Sequence, residues 1–165
     1  DYLYELQNKL KKNLPGKISW VAKKNLHVTM RFIGETSENN LVLIKEKLNK
    51  IKFKSFRAKL DKIGVFPNEN YIRVIWVGLK PAGKVIGLQQ KIDSELLELF
   101  SKDQEFSSHL TLARVKFIKD KEEFKKNLQI EVNEKEFEVN GFCLVKSQLS
   151  KDGPKYEILE RFKLN

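Results

Sequence analysis

The chain has 165 residues, 41% of them hydrophobic, a formal net charge of +10 and a single cysteine, Cys143. That is enough for one substantial core or for two small lobes on a continuous sheet system. No stretch approaches the roughly 20 apolar residues of a membrane span, and a lone thiol excludes an intramolecular disulfide. The expectation is one domain over residues 1–165, monomeric and in the reducing cytoplasm, with no secretory leader pattern. Cys143, inside the apolar run GFCLV, reads as a buried, inert thiol. Excess positive charge favours polyanions through counterion release. The lysines, however, fall at spacings that suit the wet faces of helices, and Lys- and Glu-rich surfaces also occur in proteins from hot environments. Charge therefore adds weight to nucleic acid without establishing it.

Residues 2–12, YLYELQNKLKK, place Leu3, Leu6 and Leu10 on one helical stripe that the Pro15-Gly16 breaker ends. WVAKKNLHVTMRFIG follows as a strand. Residues 37–50 carry a capping serine, Ser37, and a stripe of Leu41, Ile44 and Leu48. FRAKLDKIGVF and YIRVIWVGL alternate at period two across a PNEN turn and read as a hairpin. A long helix at about 84–100 has Ile92, Leu96, Leu99 and Phe100 on one stripe. The second half repeats the order: a strand at 109–117, a helix at 120–128, a strand FEVNGFCLVKSQL, a turn at Asp152-Gly153-Pro154 and a strand KYEILERFKL. Trp20 and Trp76 read as core residues.

The two repeats share one polar motif. LHVTMRFIGE and SSHLTLARVK each put a histidine and a threonine two positions apart in an apolar run, and they contain the only two histidines, His27 and His109. Residues i and i+2 of a strand share a face. His27 with Thr29, and His109 with Thr111, would thus project together from strands that are apolar behind. A single histidine in such a strand is more often a satisfied core residue than a catalyst. Two copies, symmetrically placed and using every histidine, favour a two-histidine site. Such a pair suits in-line displacement at a phosphodiester, where a base activates water and an acid protonates the leaving oxygen. Histidine, with an ordinary pKa of about 6.5, serves either role near neutrality. Threonine hydroxyls can donate to non-bridging oxygens, and Arg114 can clamp developing charge. The scheme needs no metal, and the sequence has no CxxC, HExxH or third histidine. It also lacks a G-x-x-x-x-G-K-[ST] loop for a nucleoside triphosphate.

These residues resemble the 2H phosphoesterase superfamily, and within it the RNA 2′,3′-cyclic phosphodiesterases, also called 2′-5′ RNA ligase-like proteins. The resemblance runs through NLHVTMRFIGE, IGVFPNENYIRVIWVGL, FSSHLTLARVK and SQLSKDGPKYEILERF. It implies an α+β, bilobal 2H phosphoesterase fold: two pseudo-twofold-related lobes of antiparallel sheet plus helices, with the site in the cleft between them. It also implies a short apolar strand ahead of the first helix, which a chain starting Asp1-Tyr2-Leu3 is expected to lack.

The resemblance implies hydrolysis of RNA 2′,3′-cyclic phosphate ends to 2′-phosphomonoesters without a cofactor, His27 acting as proton donor and His109 as acceptor. Thr29, Thr111 and Arg114 would bind the phosphate. Phe66 and Arg73 could touch the nucleotide, against equally good readings as a core aromatic and an exposed strand cation. Two alternatives remain open. One is an ATP-independent 2′-5′ RNA ligase, acting on tRNA halves, or a 2′-5′ phosphodiesterase, with the same residues. The other is a non-catalytic module that binds RNA ends. Phosphate binding alone would be better served by permanently charged side chains than by two largely neutral ones. No obligate protein partner is expected.

Overall fold

The computed structural model describes residues 1–101, 106–150 and 153–165. In chain order the elements are α1 (Tyr2–Asn13), β1 (Gly16–Trp20), a 3₁₀ turn (Lys23–Asn25), α2 (Glu38–Asn49), β2 (Phe56–Asn68), β3 (Tyr71–Lys80), α3 (Ala82–Leu96), β4 (His109–Ile118), α4 (Lys121–Leu128), β5 (Glu136–Val139), β6 (Gly141–Ser150) and β7 (Gly153–Lys163). Five strands form one sheet in the order β1-β4-β3-β2-β5, and β6 and β7 form a two-stranded sheet. The β1-β4, β3-β4, β2-β3 and β6-β7 ladders are antiparallel. No helix among the described residues is long and apolar enough to cross a membrane.

Two compact units account for the chain, and neither is one of its sequential halves. The first takes Asp1–Val28, Lys59–Lys80 and Ser108–Lys135; the second takes Thr29–Ala58, Pro81–Ser107 and Glu136–Asn165. In the first unit, α1 and α4 bury Leu6, Leu10 and Phe124 together with Ile75, Val77, Leu112 and Ala113 of the central strands. Asn127 Nδ2 donates to Asn13 O at 2.6 Å and ties α4 to the end of α1. In the second unit, Ile44 and Leu48 of α2 and Leu88, Ile92 and Leu96 of α3 close on Leu144 and Phe162 of the β6-β7 sheet, with Met30 and Ile33 packed against them.

The local signals explain most boundaries. Ser37 accepts from Asn40 N at 3.2 Å and starts α2, and Asp120 accepts from Glu123 N at 2.9 Å and starts α4. The β2-β3 hairpin is tighter than expected. Pro67 and Asn68 stay in the ladder, Asn68 opposes Tyr71, and its Oδ1 accepts from Asn70 N and Tyr71 N. The peptide bond before Pro67 is cis.

Several expectations are corrected. The long helix starts at Ala82 and ends at Leu96, whose carbonyl takes both the Leu99 and Phe100 N–H groups in a tightened last turn. The strand expected from Phe137 onward is two strands in different sheets, parted at Asn140, whose carbonyl accepts from Leu164 N. Gly141 then passes so near Phe162 that a Cβ there would lie 2.6 Å from its carbonyl oxygen. Cys143 is exposed, because β6 turns Leu144 toward the core and its neighbour outward. Trp20 and Trp76 are half-buried, not enclosed core residues. In the turn expected at Asp152-Gly153-Pro154, Ser150 opposes Gly153, and residues 151–152 lie outside the described residues.

Candidate active site

The second motif lies on β4 as its alternation requires. His109 and Thr111 are half-buried, and Leu110 and Leu112 face the core. Arg114 is the informative case. Three residues after Thr111, a regular strand would place it on the opposite face. The β3-β4 register instead runs Gly78↔His109, Trp76↔Thr111, Ile75↔Ala113, Val74↔Arg114. Leu112 is thus an extra residue, a bulge. Directly opposed residues share a face, as do Gly78, Trp76 and Val74 along β3. His109, Thr111 and Arg114 therefore share one face of the sheet, where Arg114 is exposed and opposes Ser19 of β1.

Aromatic rings fix His109 on that face. Phe66 meets the imidazole edge-on at a centroid distance of 4.9 Å, Trp76 lies 6.1 Å from it, and the two rings are 5.1 Å apart. Space for the indole comes from Gly64, opposite Trp76 in the ladder. A Cβ at Gly64 would sit 2.1 Å from Trp76 Cζ2. Arg73, by contrast, is exposed beyond this cluster. Its guanidinium lies over the Tyr71 ring at 4.7 Å, and its Nε donates to Tyr71 Oη at 2.8 Å.

The first motif departs from expectation. Residues 26–33 belong to no assigned strand, so the period-two argument applies to the second motif alone. The chain follows β4 as far as Val21, whose N–H donates to Leu112 O at 3.0 Å, and then turns through Lys23–Asn25. His27 is exposed and belongs to the same unit as His109, while Thr29 is the first residue of the other. The His27 Nδ1 is 2.7 Å from Asn25 O. A carbonyl only accepts, so Nδ1 carries a proton.

Two buried polar side chains lie outside the expected site residues. Arg31, two residues after Thr29, is buried in an ion pair with Asp93 of α3 and donates to Ser101 O at 2.5 Å. Gln7 of α1 is 1% exposed, and its Nε2 donates to Val21 O and Leu112 O, each at 2.9 Å. Its signal was present in the sequence as one amide between Leu3 and Leu10 on an otherwise apolar stripe. Among the described residues no three His, Cys, Asp or Glu side chains come together as a metal-ligand set.

A sheet face carrying His, Thr and Arg in register, with a second histidine in the same unit, brings together groups that can bind an anionic oxygen and transfer protons. The LigT-like phosphoesterase family model matches residues 1–76 and again 77–156, and the chain belongs to that family. The chain is 40% identical over 149 residues to the RNA 2′,3′-cyclic phosphodiesterase of Methanocaldococcus jannaschii, covering 88% of this chain and 84% of that protein. It is 34% identical over 151 residues to the protein of the same name from Archaeoglobus fulgidus, covering 86% and 81%. A crystal structure of a Thermus thermophilus protein superposes with a TM-score of 0.82 at 29% identity, covering 98% of this chain and 88% of that one.

Proposed function

We propose that this protein hydrolyses the 2′,3′-cyclic phosphate at the end of an RNA to a 2′-phosphomonoester. The observation that carries the reading is the register that gathers His109, Thr111 and Arg114 on one sheet face. The names of its relatives supply the substrate class. His109 takes a proton from water as the oxygen attacks phosphorus. The bond from phosphorus to the 3′ oxygen breaks, and that oxygen receives a proton from His27 Nε2, leaving the phosphate on the 2′ oxygen. Nδ1–H on Asn25 O holds the His27 ring in the orientation that its role needs. Thr29 and Thr111 donate to the non-bridging oxygens, and Arg114 offsets the charge that develops there. Phe66, already against His109, offers an apolar surface to the terminal nucleoside. Arg73, engaged with Tyr71, supplies a cation for the phosphate further along the strand.

The test is to incubate a short RNA ending in a 2′,3′-cyclic phosphate with the protein in EDTA and identify the product. Conversion to the 2′-phosphate is expected. A 3′-phosphate, or turnover that disappears with the chelator, would refute the scheme.

A further inference from the structure

The bulge at Leu112 decides which face Arg114 occupies, and something must hold it. The bulge interrupts the β3-β4 ladder, so donors on the other side of β4 hold the segment. Leu112 O receives two, Val21 N at 3.0 Å and Gln7 Nε2 at 2.9 Å. The same Nε2 donates to Val21 O at 2.9 Å, so both amide protons are used. Val21 lies six residues before His27 and Leu112 one after Thr111. A helix that only had to pack would carry an apolar side chain at this enclosed position, like the neighbouring Leu6 and Leu10.

We infer that Gln7 is a positioning residue for the phosphate site, resting on the function proposed above. It touches no substrate. By binding one carbonyl on each motif-bearing segment, it keeps the bulge in place, and with it Arg114 on the face of His109 and Thr111. It also anchors the start of the segment that leads to His27.

The test compares Gln7→Met, which keeps the length and loses both donors, with Leu10→Val, a packing loss one turn along the same buried face. Misplacing a charged clamp by about 1 Å reduces turnover by up to about 100-fold. Gln7→Met is expected to lower kcat on the cyclic-phosphate RNA 10- to 100-fold, and Leu10→Val less than threefold. In an Arg114→Ala background the further effect of Gln7→Met should shrink to a few-fold, because both changes remove the same clamp. An undiminished effect there would overturn the proposal. A second readout needs no substrate: hydrogen exchange at Val21 N should accelerate at least tenfold in Gln7→Met, relative to the β3 amides, and stay unchanged in Leu10→Val. Unchanged exchange in both would also overturn it. If the wild-type protein turns over no cyclic phosphate, the functional reading falls and the exchange comparison still decides the role of Gln7.

Discussion

Gly64→Ala tests how tightly the aromatic cluster holds His109. The added methyl would lie 2.1, 2.2 and 2.6 Å from three atoms of the Trp76 six-membered ring. A flexible side-chain end could swing away, but this ring is stopped by Phe66 at 5.1 Å and by the His109 imidazole at 6.1 Å. Overpacking of this kind costs about 1–3 kcal/mol. Alanine also fits a strand better than glycine by about 0.5–1 kcal/mol, and Gly64 is not among the glycines with positive φ. The net loss is therefore up to about 2.5 kcal/mol. In a Trp76→Leu background, which lacks the six-membered ring, the strain vanishes and the same substitution should stabilise by about 0.5–1 kcal/mol. Urea unfolding of the four proteins reads the coupling directly. Equal effects of Gly64→Ala in the two backgrounds would refute the account of a ring wedged between Gly64 and His109. Turnover should fall with stability in the single variant, because the displaced indole pushes on His109.

Other consequences are equally open to measurement. The proposed acid and base pair predicts a rate that follows a bell against pH with two limbs, and a flat or single-limbed profile would refute the pairing. His27→Ala and His109→Ala should each remove orders of magnitude of activity and one limb, and a variant that kept near-full activity would show its histidine misassigned. Asp93→Ala strips the partner from a buried guanidinium and should destabilise by about 3–5 kcal/mol. Asp93→Leu paired with Arg31→Met should recover most of that loss in urea unfolding. Glu134 accepts from Lys59 and Lys80, and these bonds hold its carboxyl down at about 2. For a depressed acid, the added stability is present in full above the ordinary carboxylate range and is lost as pH falls through about 2. Glu134→Gln should therefore lower the thermal midpoint slightly at pH 7, less in high salt, and not at all below pH 2.

Local signals that act within one turn or one strand were legible in the sequence. Ser37 and Asp120 cap the helices they precede, Leu6 and Leu10 face inward, and His109 and Thr111 stand together on a strand. What could not be read depends on a partner far along the chain. The placement of Arg114 needs the bulge at Leu112, which is defined only by what β3 and β1 put beside it. Period two alone would have sent Arg114 to the wrong side. The first motif has the alternation of a strand, yet the chain leaves β4 after Val21 and residues 26–33 belong to no assigned strand. The exposure of Cys143 is not legible locally, because an apolar run looks the same from both faces until Leu144 and Phe162 show which one is inside. The partnership of Arg31 and Asp93 has no local signature, since their positions in sequence carry no periodic relation.

The amide of Gln7 and the carbonyl of Leu112 are 105 positions apart. On a ribosome adding about 5–20 residues per second, the helix that bears Gln7 emerges about 5–20 s before its acceptor exists. For that interval Leu6 and Leu10 lack Leu112 and Ala113 of β4 to cover them, and β1 has no β4 to pair with. The first histidine to be synthesised is thus among the residues that must wait for the second, and the newborn chain carries a greasy helix in the open until most of its length has been made.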